Sequence, residues 1–108
     1  MMKVISWKTA DFSELKKSAM SQNSHAKDIQ ILMPGGSELS EHKVAFDITV
    51  QVLRGEVEFR ACGQSVVLGE LDMVSLAANE LHALRATKDS IIRLCLAIGD
   101  SEKMGFMP

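Results

Sequence analysis

The stretch Ile48-Thr49-Val50-Gln51-Val52-Leu53-Arg54-Gly55-Glu56-Val57-Glu58-Phe59-Arg60 decides the fold. Its even positions from 48 to 52 are Ile, Val and Val, with Thr49 and Gln51 between them. Past Gly55 the odd positions Val57 and Phe59 are apolar, while Glu56, Glu58 and Arg60 are charged and form a solvated face. Period-two alternation of β-branched residues on both sides of a glycine is the pattern of half-buried antiparallel strands joined by a turn. Downstream, Ile92, Leu94, Leu96 and Ile98 repeat it. Strands are predicted near 3–6, 26–33, 42–53, 56–61, 64–68, 72–76, 81–86 and 90–98, with Cys62-Gly63 at a hairpin tip. This is the rhythm of an all-β sandwich or barrel. One short helix is expected after a Thr9 cap, using Phe12, Leu15, Lys16 and Ala19. No helical pattern of about 10–15 residues separates the strands, which excludes a doubly wound sheet.

The chain has 108 residues, 46% hydrophobic and 24% charged, with a net charge of −2. That is one globular domain. Its basic residues are scattered, so no footprint for nucleic acid or an anionic membrane is present. No apolar run approaches the roughly 20 residues of a spanning helix. The first residues do not read as a signal peptide, so a cytoplasmic location is expected. Cys62 and Cys95 lack a zinc-like spacing and are expected to be reduced thiols. Gly35-Gly36 is not followed by the Lys-Ser/Thr of a phosphate loop, and no Gly-x-Ser-x-Gly elbow occurs.

Two stretches resemble the cupin family of small β-barrels, covering roughly residues 28 to 98. The family's first motif reads G-x5-H-x-H-x3,4-E-x6-G, and Gly36, His42 and Gly55 match it in register. The second reads G-x5-P-x-G-x2-H-x3-N, and His82 matches it. The second histidine position holds Val44 and the glutamate position Ile48. In the second motif Leu71, Ala77, Asn79 and Ala86 stand for Gly, Pro, Gly and Asn. The resemblance implies an antiparallel double-stranded β-helix, a jelly-roll barrel. The core barrel would span about 26–98, with an N-terminal strand and short helix in 1–25 and a tail in 99–108. It further implies a metal site of three histidines and a glutamate, of which His42 and His82 remain.

Read as one strand, 42–52 puts His42, Val44, Phe46, Ile48, Val50 and Val52 on one face. Five of the six are apolar, so that face is expected to line the lumen. His82, Leu84 and Ala86 share a face on the later strand. His42 and His82 are therefore expected to meet inside, with Phe46 and Ile48 as walls. They read as hydrogen-bonded groups lining a ligand pocket, as two ligands of a divalent Fe, Ni, Zn or Mn ion, or as a general base. Two imidazoles alone bind such an ion weakly. Gln51 is a candidate third ligand, but alternation aims it outward unless a bulge intervenes. Asp47, Glu41 and His25 are further candidate donors. The leading expectation is a stand-alone small-molecule-binding protein in an accessory or regulatory role. The alternatives are a metal-dependent dioxygenase, isomerase or decarboxylase, and an interaction protein with a vestigial pocket. Trp7 beside the N-terminal strand is expected as an anchor at a packing or subunit contact, and a homodimer through edge strands is expected.

Overall fold

The computed structural model describes residues 2–7 and 11–99. Nine strands follow one another: β1 (Lys16–Gln22), β2 (Ala26–Met33), β3 (Glu38–His42), β4 (Asp47–Arg54), β5 (Val57–Ala61), β6 (Gln64–Leu68), β7 (Met73–Leu76), β8 (His82–Ala86) and β9 (Ser90–Ala97). They form two antiparallel sheets, in the order β1-β2-β9-β4-β7 and β3-β8-β5-β6. The pairing is nested: β5 with β6, β4 with β7, β3 with β8, β2 with β9. In every one of these ladders the partners stand nearly equally far from Cys62 along the chain. The molecule is therefore one long hairpin whose arms are coiled into two facing sheets, the construction of a jelly roll.

The tip explains why the hairpin closes there. Cys62 and Gly63 both have positive φ, 55° and 71°. Two such residues make the turn whose twist matches that of the strands it joins. Between the sheets lies one core, to which Ile31, Met33, Ile48, Val50 and Val52 contribute from the first sheet, and Val57, Phe59, Leu68, Leu84 and Ala86 from the second. These are the faces that the alternation marks. A side chain such as Phe59, 2% exposed, contributes about 2–3 kcal/mol by leaving water.

Three expectations are corrected. The helix after Thr9 does not form among the described residues: Lys16–Gln22 is instead edge strand β1 on β2. The apolar spacing of Phe12, Leu15 and Ala19 fits a short helix as well as a strand, and pairing with β2 decides it; Thr9 lies outside the described residues. Residues 2–7 carry no strand. There Trp7 offers its carbonyl to the side chain of Gln30 (3.0 Å). The expected strand 42–53 is two strands, because residues 43–46 bend and send the chain from one sheet to the other. Of the expected tail only Gly99 is described.

Candidate functional site

The site starts from an irregularity in β3. Leu39 faces Leu84 and His42 faces His82, so Ser40 and Glu41 together oppose Ala83 alone. Strict alternation would put Leu39 and His42 on opposite faces. The extra residue, a β-bulge, returns His42 to the inner face. On β8 no such device is needed, since His82 alternates with Leu84 and Ala86, which line the core. The two turns that lead from β3 and into β8 are laced together. The N–H of Asn79 donates to the carbonyl of Val44 (2.8 Å), and that of Ala78 to Asp47 Oδ1 (2.9 Å).

The imidazoles consequently stand side by side, with ring centroids 4.3 Å apart and planes tilted by 55°. His82 is 4% exposed and stacks on Phe59 at 5.9 Å. Each ring is oriented by its own backbone. Nδ1–H of His42 donates to the carbonyl of Ser40 (2.7 Å), and Nδ1–H of His82 to that of Glu80 (3.0 Å). A carbonyl only accepts, so Nδ1 carries the proton in both rings, and Nε2 is left for a ligand. No buried side-chain nitrogen or oxygen among the described residues lacks a partner. His82 Nε2, which makes no hydrogen bond to the described residues, therefore keeps a path to solvent.

A cleft of about 240 Å³ lies between the sheets; Phe59 borders it, and neither His42 nor His82 lines it. Phe59, Ala61 and Val66 wall it on one side, Val74 and Leu76 on the other, with Gln64 and Ser75 as polar groups. Cys62 also borders it. Lost hydration and the neighbouring Glu80 carboxylate, which accepts its S–H at 3.6 Å, push this thiol up, so it is neutral near pH 7. A larger groove of about 620 Å³ lies outside the second sheet, where Arg60 and Glu41 line it and the imidazoles do not.

The remaining candidates scatter. Ile48 is 3% exposed and part of the core. Phe46 is 40% exposed in the 43–46 bend. Gln51 alternates with buried Val50 and Val52, and its amide donates to the carbonyl of Leu71 (3.1 Å) on the outer side of the sheet. Asp47 is committed to Ala78, Glu41 is exposed, and so is His25 at the β1–β2 turn. Phe59 is the contact that sequence reading missed. Its inward phase on β5 was visible, but not that cross-strand pairing of Ala61 with His82 would bring it beneath the imidazole.

A tightly held divalent ion does not fit these residues. The positions that would complete the ligand set hold Val44 and Ile48, both packed in or against the core. No group of three or more His, Cys, Asp or Glu able to hold a metal occurs among the described residues.

Solved structures share this architecture. An RmlC-like cupin family protein with a double-stranded β-helix fold from Methanocaldococcus jannaschii superimposes with a TM-score of 0.79 at 15% identity, over 98% of each chain. An RmlC-like cupin protein from Desulfovibrio desulfuricans gives 0.79 at 18% identity, over 93% of this chain and 99% of the other. A cupin superfamily protein from Desulfitobacterium hafniense gives 0.76 at 19%, over 84% of each. The chain thus has the single-domain cupin jelly-roll fold. No protein-family model matches it, and no curated protein does.

Proposed function

We propose that this chain is a small stand-alone binding protein with an accessory or regulatory role. Its barrel takes a small, largely apolar molecule whose one or two polar groups meet Nε2 of His42 and His82. The observation that carries the reading is the pair of rings 4.3 Å apart, each with its other nitrogen spent on a backbone carbonyl. Ile48, where the family places a carboxylate, is buried in the apolar core instead. Two imidazoles make less than the usual ligand set, so a divalent iron, nickel, zinc or manganese ion would be held weakly, completed by water or by the ligand itself.

The test is a thermal-shift panel of small aromatic and aliphatic acids, alcohols and amines. A binder at about 100 times its Kd adds about 2.7 kcal/mol by mass action, several degrees of Tm for a domain of this size. His42→Ala and His82→Ala should each abolish the shift, and His42→Ala, at the less buried ring, should keep the fold. Loss of binding in neither variant contradicts the reading. So does near-stoichiometric metal in protein purified without added metal.

A further inference from the structure

The groove of about 620 Å³ on the outer face of the second sheet has no part in the imidazole site. Its floor is Ala83, which points outward between His82 and Leu84 and yet is only 4% exposed. A methyl group lies there at the bottom of a trough whose rims are longer side chains. Strand register distributes the charge around it. One row away, Arg85 stands directly across from Glu38 on β3 and Glu58 on β5, the opposite-charge arrangement that steadies a sheet surface. Arg60 is denied that arrangement, since its cross-strand partners are Ala83 and Ser65. The bulge in β3 sets Glu41 on the far side of Ala83, two strand spacings or about 10 Å of main chain from Arg60. Glu80 and Leu81 close the end of the trough. Among the described residues neither Arg60 nor Glu41 makes a hydrogen bond or an ion pair. The Glu80 carboxylate accepts only the S–H of Cys62, a weak donor.

We propose that this groove binds a free α-amino acid with a cationic side chain. Its volume lies in the range of small-molecule sites. The ligand's carboxylate meets Arg60, whose planar fork takes both oxygens, and its two cationic groups meet Glu41 and Glu80. The count of charges selects the ligand. One cation and two anions line the groove, and lysine or arginine in solution presents the complement, one anion and two cations. A neutral amino acid leaves one glutamate without a partner, an acidic one adds a like charge, and a diamine leaves Arg60 facing a cation. Leu81, 49% exposed, offers apolar surface to the methylenes between the charged ends. The site stands independently of what the imidazoles bind.

Isothermal titration of the full chain at low salt, where exposed charges are least screened, tests the proposal. The probes are L-lysine, L-arginine, L-alanine, L-glutamate and cadaverine. The expected result is binding of lysine and arginine with Kd of about 1 mM, and of the other three at least tenfold more weakly. Arg60→Gln removes the group that reads the carboxylate. It should weaken lysine at least tenfold and leave cadaverine no weaker, whereas Glu41→Gln should weaken lysine and cadaverine alike. Ala83→Leu fills the floor and should abolish binding, and Arg85→Gln, one row away, should leave it as it was. If Ala83→Leu impairs folding, Arg60→Gln carries the test, since that side chain is exposed. No binding of lysine up to about 50 mM, alanine or cadaverine held as tightly as lysine, or lysine binding indifferent to Arg60→Gln each overturns it.

Discussion

Three backbone positions show how residue chemistry and fold constrain one another. Gly55 has φ +97°, and a Cβ there would meet Ser90 Oγ and approach Ser90 Cα at 2.8 Å. That Ser90 is fully buried, and its Oγ accepts the N–H of Glu56 (3.0 Å) and donates to the carbonyl of Lys88 (2.7 Å). Gly55→Ala should therefore cost about 3 kcal/mol, from left-handed strain plus overpacking, read as a loss of denaturation midpoint. Leu71 and Asn79 stand where the family motif has glycine, and both keep positive φ, 71° and 66°. Asparagine tolerates this region; a leucine pays about 1–2 kcal/mol. Leu71 is 71% exposed, while its N–H donates to Val52 and its carbonyl accepts from Gln51. Backbone pairing holds it, not packing. Leu71→Gly should stabilise by about 0.5–1 kcal/mol once glycine's greater unfolded-state freedom is deducted. No gain in Tm would mean that the side chain contributes more than its exposure suggests.

At the scale of elements, the alternating faces of β4, β5 and β9 were legible, because side-chain direction in a strand repeats every two residues regardless of its partner. The meeting of His42 and His82 was legible as well, but through a face assumed to run unbroken from 42 to 52. The chain bends at 43–46, so Phe46 drops out of the lumen, and His42 points inward because of the bulge at Ser40 and Glu41. A bulge is settled by the partner strand, and Glu38-Leu39-Ser40-Glu41-His42 alone carries no mark of it. β1 was hidden for a related reason: an edge strand that buries little has little alternation to show. The bulge makes its own prediction. Deleting Glu41 leaves Leu39 and His42 two apart, which is the regular register opposite Leu84 and His82. Such a deletion should cost no more than about 1–2 kcal/mol, within the range of ordinary point changes. Deleting Thr49 from regular β4 should instead turn Ile48 against Val50 and Val52 and abolish cooperative unfolding. Equal losses in the two variants would show that the bulge is not an inserted residue.

At the scale of the molecule, the nested hairpin joins positions ever more distant from the Cys62-Gly63 tip, ending with Ala26 against Ala97. Five of the seven ladders among the described residues join non-local strands, so loop-closure entropy is spent before most contacts form. Refolding should fall in the millisecond-to-second range of β-barrels, not the microsecond range of helical bundles. Stopped-flow fluorescence of Trp7, the only tryptophan, measures it, and a microsecond phase of full amplitude would be inconsistent with this topology. The same symmetry delivers the site, since His42 and His82 lie equally far from the tip on opposite arms and pair wherever the hairpin zips in register. That both rings serve one ligand is the claim that joins fold to function. Histidine-selective ¹⁵N NMR tests it most directly. Nδ1 of both rings should carry the proton, and a compound from the thermal-shift panel should move both Nε2 resonances together. A proton on Nε2 in either ring of the free protein, or a bound compound that moves only one of the two, would contradict it.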